Sequence, residues 1–78
     1  MITARQIRAA RALLGWSQQQ LADKAVVSLA ALSRFEQGKG DTRVGTLAAV
    51  EKALVKAGIE FQSGGGKGEG VRLVSPKS

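Results

Sequence analysis

Ser17-Gln18-Gln19-Gln20-Leu21-Ala22-Asp23-Lys24-Ala25-Val26-Val27-Ser28-Leu29-Ala30-Ala31-Leu32-Ser33-Arg34-Phe35-Glu36-Gln37-Gly38 is the stretch that decides the fold. It holds two helix starts only eleven residues apart, at Ser17 and Ser28. Each serine follows a hydrophobe and precedes another: Trp16-Ser17…Leu21 and Val27-Ser28…Leu32. A hydroxyl at such a position caps the free amides of a first helical turn, and the flanking hydrophobes pack as a staple. The first helix of the pair must therefore end near Ala25 and turn at once into the second, which is the arrangement of a helix-turn-helix.

The same signal occurs upstream as Ile2-Thr3…Ile7, and Gln6 and Gln20 stand where a capping box wants Glu or Gln. From Thr3 the apolar residues Ile7, Ala10, Leu13 and Leu14 recur at helical spacing up to the stop at Gly15. Arg5, Arg8 and Arg11 form a separate series, read as a solvated face that steers the chain toward polyanions. In the second helix Leu21, Ala22 and Ala25 share one side. The third runs from Ser28 to about Gln37, burying Leu32 and Phe35, with Gly38 after its end. A polar turn at residues 39–43 leads to a fourth helix, whose stripe is Leu47, Val50, Leu54 and Ala57, with Gly58 as its stop.

Beyond Gly58 the pattern changes to alternation. Ile59-Glu60-Phe61-Gln62 and Val71-Arg72-Leu73-Val74 read as two strands around a loop that holds five of the ten glycines. A lone two-stranded hairpin is marginal in water, so it must pack on the helices or pair with a second chain, and pairing across a dimer is the expectation. The fold expected is mainly α, four helices with a C-terminal two-stranded β element. Residues 1–58 make the reading head and residues 59–78 a hairpin or dimerisation tail.

At 78 residues, with no Cys and no His, the chain has neither disulfides nor the usual zinc ligands, and it lacks the commonest general base. No catalytic site, metal or cofactor is expected. Twelve Lys and Arg against six Asp and Glu give a formal charge of +6, which suits a polyanionic partner. No apolar run approaches the ~18 residues of a membrane span and no secretory apolar region follows the N-terminal arginines, so a cytoplasmic location is expected. The glycine loop at 64–70 lacks both the spacing and the following helix of a phosphate-binding loop. So small a core leaves no room for a sizeable ligand cavity unless a dimer creates one.

Ser-Gln at the start of the second helix, Leu21-Ala22, Val27-Ser28, Leu32-Ser33 and Glu36-Gln37-Gly38 together resemble the phage-repressor, or Cro-like, helix-turn-helix family of small bacterial transcriptional regulators. The resemblance spans residues 3–57, taking in Leu14-Gly15-Trp16 before the motif and Thr46-Leu47 after it, and the strand pair is similar to that of short members of the family. It implies a third helix in the major groove of double-stranded DNA. The base-facing positions would then be Leu29, Ala30, Ser33 and Arg34, and the phosphate-facing ones Gln18, Ser28, Lys39 and Arg43. Arg34 suits the two acceptors of guanine, and Leu29 and Ala30 suit thymine methyl groups. Glu36 would brace the domain, and Trp16 would pack as a staple. The family turn usually carries Gly where this chain has Val26. A homodimer through the C-terminal strands follows for a head this small. The apolar run Leu29-Ala30-Ala31 also fits a protein partner, as in an antitoxin or anchoring subunit.

Overall fold

A computed structural model describes residues 2–39, 43–62 and 68–74. The elements are α1 (Ala4–Leu14), α2 (Gln18–Ala25), α3 (Leu29–Glu36), α4 (Val44–Lys56), β1 (Ile59–Gln62) and β2 (Gly70–Leu73). This is the expected mainly helical fold with a C-terminal strand pair.

The three hydroxyl caps all form. Thr3 and Ser17 make complete capping boxes with Gln6 and Gln20, and Ser28 accepts the Ala31 amide at 3.1 Å. The capping residues keep extended backbone angles, so each of these three helices begins where the amide of its third residue finds a side-chain oxygen. The flanking staple residues all join the core: Ile2, Ile7, Leu21 and Leu32 are buried, and Trp16 and Val27 pack against them.

Three left-handed residues end the first three helices. Gly15 has φ 70° and Gly38 φ 73°, while α2 closes on Val26, at φ 56° and ψ 47°. Val26 is thus in the conformation the family turn requires of glycine, and its side chain is 90 % exposed, so no packing offsets the strain. A β-branched residue there costs about 1–2 kcal/mol. Part of that is returned by the larger unfolded-state freedom of glycine. Val26→Gly should therefore stabilise the domain by roughly 0.5–1.5 kcal/mol, raising Tm by several degrees for a domain of this size. Thermal melting checks it, and an unchanged or lower midpoint would show that the turn relaxes around valine.

The core draws one or two fully buried residues from each helix: Ile7 from α1, Leu21 from α2, Leu32 from α3, and Val50 and Leu54 from α4, with Ile59 of β1 beside them. Each contributes about 1.5–3 kcal/mol by leaving water. One expected member departs: Leu13 is 46 % exposed. It lies seven residues after Gln6 and so on nearly the same side of α1, about 120° from Ile7. The hairpin covers that side over the first turn and leaves the last turn open, so Gln6 is buried there and Leu13 is not.

The strands pair antiparallel, Ile59 opposite Leu73 and Phe61 opposite Val71. These pairs share a face, and Ile59, Phe61 and Val71 pack against the helical core. Glu60 and Arg72 pair on the outer face. The hairpin is fastened to α1 by polar contacts. Gln6 Nε2 donates to the carbonyl oxygens of Gln62 at 2.9 Å and Gly70 at 3.0 Å, while its Oε1 accepts the Thr3 amide at 2.9 Å. Glu69 accepts from Arg5 Nε at 3.0 Å, Arg5 Nη2 at 2.9 Å and Thr3 Oγ1 at 2.8 Å. Hydrogen bonds from Arg5 and Thr3 hold the Glu69 carboxyl below its ordinary range. This exposed clamp is present above the usual carboxylate range and is lost as pH falls through the lowered value.

Gln6 therefore does what the other capping-box residue, Glu, does not do here. A carboxylate would still accept from Thr3, but its second oxygen would face the two strand carbonyls. Gln6→Glu should destabilise the domain by a few kcal/mol, on the scale of about 1–3 kcal/mol for a buried unsatisfied group and more for a charged one. Burial beside carbonyls raises the pKa of the new carboxyl in the folded state, so below its unfolded pKa the charge penalty is absent and only the loss of one of the two strand hydrogen bonds remains. The charge penalty grows as pH rises through the folded value. Melting variant and parent at acid and neutral pH reads this directly. Equal midpoints at neutral pH would mean that the hairpin does not depend on Gln6.

Candidate nucleic-acid interface

α3 presents two different sides. Leu32 and Glu36 are buried, whereas Leu29, Ala30 and Arg34 are exposed and Ser33 is half-buried. The four residues expected to face bases are therefore on the solvent side of the helix. Ser33 Oγ already accepts from Gln37 Nε2 at 3.0 Å, which adds Gln37 to the polar groups along this side. Arg34 has no salt bridge among the described residues, because Glu36, the nearest acid in sequence, turns inward.

The phosphate-facing set divides. Ser28 caps α3, leaving the amides of Leu29 and Ala30 at a free helix start, and the positive end of the dipole points with them. Lys39 and Arg43 are exposed on either side of residues 40–42, which lie outside the described residues. Gln18 sits at the first position of α2, and its side-chain Nε2 donates to Glu36 Oε1 at 3.2 Å. Its backbone amide remains at the helix start.

What holds α2 and α3 in register is a polar cluster that the one-dimensional pattern misassigns. Arg11 donates Nε to Glu36 Oε2 at 2.8 Å, Nη2 to Glu36 Oε1 at 2.6 Å and Nη1 to the Trp16 carbonyl at 3.1 Å. Arg8 donates to the Glu36 carbonyl oxygen. Of the three arginines of α1, Arg5 and Arg8 are exposed as expected, though each is hydrogen-bonded, and only Arg11 is drawn off the solvated face. Helical spacing places them together, but which helix lies opposite is decided by packing. The signal that points to this cluster is Glu36 itself, since a carboxylate 2 % exposed needs a bidentate donor. The paired cations Arg5, Arg11 and Arg72 are thus spent internally, while Arg34, Lys39 and Arg43 carry no carboxylate partner among the described residues. Cations at α3 and the approach to α4 are among those left without a carboxylate partner among the described residues, where they can meet an anion.

A model of the helix-turn-helix family matches residues 7–54, from the second turn of α1 to near the end of α4. The chain belongs to this family, that of the phage-repressor-like helix-turn-helix proteins. It is a DNA-binding regulatory protein, in a family whose work is binding rather than catalysis. No curated protein matches the chain. Among the described residues no helix is long and apolar enough to cross a membrane.

Proposed function

We propose that this protein is a cytoplasmic, sequence-specific transcriptional regulator that occupies operator DNA as a homodimer. Residues 1–58 form the reading head and residues 59–78 supply the dimer contact. α3 enters the major groove with Leu29, Ala30, Ser33 and Arg34 toward the bases, while Gln18, Ser28, Lys39 and Arg43 hold the flanking phosphates. The observation that carries this reading is the solvent side of α3, where Arg34 is exposed and unpaired among the described residues, with Lys39 and Arg43 exposed in the chain that follows α3.

Selection of duplexes from a random pool, followed by titration of the recovered site at two salt concentrations, tests it. A two-fold-related motif and steep salt dependence are expected. Binding to every duplex alike would remove sequence reading. Dimerisation needs a test that spares the core, because Ile59 is buried and deletion of the whole tail would open the domain. Leu73 and Val74, 38 % and 39 % exposed at the end of β2, are the positions to change. Leu73→Lys with Val74→Lys should give a monomer by light scattering with weakened operator binding, and an unchanged mass would place the dimer elsewhere.

A second reading rests on the exposed apolar pair Val26 and Leu29, which offers a protein partner a contact with no hydrogen-bonding demand. On that reading an antitoxin or anchoring subunit would bind its partner with affinity that barely changes with salt, the opposite of phosphate contact.

A further inference from the structure

A groove of about 360 Å³ runs between α2 and α4, lined by Trp16, Lys24, Ala53, Lys56 and Ala57. Its volume lies at the lower end of small-molecule sites, larger than a core of this size leads one to expect. The lining combines one aromatic side chain, two alanines that leave room beside it, and two ammonium groups with no carboxylate among them. Lys24 Nζ stands 5.6 Å from the centroid of the Trp16 ring, so the ring itself holds one ammonium at the groove.

Neither lysine is engaged in ending its own helix. The Ala22 and Asp23 carbonyls of α2 are taken by the amides of Val27 and Val26, at 3.0 and 3.3 Å. Those of Ala53 and Val55 in α4 are taken by Ala57 and Gly58, at 3.2 and 3.0 Å. Among the described residues neither ammonium has a salt-bridge partner. Two ammonium groups lining one groove give it a net positive charge that an anion between them would neutralise.

We propose that this groove binds a small planar aromatic carboxylate, its ring laid on Trp16 and its carboxylate held between Lys24 and Lys56. The ring requirement comes from the indole face and the alanine walls, and the charge requirement from the lysines. The site lies at the C-terminal ends of α2 and α4, whereas the DNA-facing groups proposed above lie at the start of α2, along α3 and in the chain between α3 and α4. Lys24 is six residues from Gln18, about 9 Å along the helix.

Trp16 is the only tryptophan, so its indole N–H gives a single nuclear magnetic resonance signal from the site. The full chain, labelled with ¹⁵N, is titrated with benzoate and 1-naphthoate, and in parallel with cyclohexanecarboxylate, benzyl alcohol, inorganic phosphate and a duplex oligonucleotide. The expected result is a saturable shift of the Trp16 signal in the millimolar range or below, tighter for naphthoate. Lys24→Gln with Lys56→Gln should weaken it about tenfold or more, a decade being ~1.4 kcal/mol. A thermal melt of the double variant reports its folding, and Lys56→Gln alone serves the same comparison if the double variant melts early. No saturable shift with either aromatic acid, or undiminished binding in the variants, overturns the proposal. So does an equal response to phosphate, to the non-aromatic acid, to the uncharged alcohol or to DNA alone.

Discussion

Glu36→Ala is expected to lower the stability of the domain by about 3 kcal/mol or more, the scale for breaking a buried ion pair and leaving one charge behind. The side chain removed is 2 % exposed and accepts from two of the three donating nitrogens of Arg11 and from Gln18 Nε2. Arg11, only 20 % exposed, would keep its charge and retain just the Trp16 carbonyl as a partner. A domain of this length has roughly 4–12 kcal/mol in total, so Tm should fall by more than about 12 °C. Calorimetry or circular dichroism reads the effect. The pair itself is worth less than its breakage, and replacing both partners by apolar residues, Arg11→Met with Glu36→Leu, should recover much of the loss. A Glu36→Ala midpoint within a degree or two of the parent would put this pair in the class of exposed ion pairs. Because Glu36 also anchors Gln18 at the start of α2, the variant should weaken DNA binding even where it remains folded.

The second large effect follows from the proposed base contact of Arg34. Arg34→Ala should reduce discrimination at one base pair of each half-site by about 1–3 kcal/mol, or roughly 5- to 150-fold, with other positions keeping their preference. Stability should change by less than about 0.5 kcal/mol, since the side chain is exposed and has no salt bridge among the described residues. Competition binding against sites varied one base pair at a time makes the measurement. A uniform loss across all sites, with the salt slope reduced by about one, would instead make Arg34 a phosphate contact. Lys39→Ala or Arg43→Ala should show that uniform pattern, which makes them the natural comparison.

The helix starts were legible because their signals act over three to five residues. Thr3 with Gln6, and Ser17 with Gln20, satisfy amides within the same turn, so nothing distant can change the outcome. The position of the turn was legible from the two neighbouring helix starts, but its geometry was not: that Val26 takes the left-handed conformation, φ 56°, despite its Cβ is visible only in the structure. The residues expected on the outward side of α3 came from the family resemblance, and Leu29, Ala30 and Arg34 are exposed there.

Residues whose partners lie far along the chain behaved differently. Gln6 read as a cap, and it is one, but its buried amide also holds carbonyls 56 and 64 residues away. Arg11 read as solvated until α3 brought Glu36 to it across 25 residues. Leu13 read as core, although the hairpin that covers the side of Gln6 stops short of it. The groove at Trp16 required α4 to lie beside α2, which no spacing within either helix encodes.

By itself, then, the sequence determined where the helices begin and end, which residues of each face inward in the main, and that the surplus charge is positive, because caps, turns and amphipathic spacing are local properties of the chain. Only the tertiary structure decided which arginines are neutralised and which remain free at α3, and that the hairpin docks on α1. Those outcomes depend on which surfaces meet, and desolvation then forces every buried charge and amide at the meeting place to find its partner.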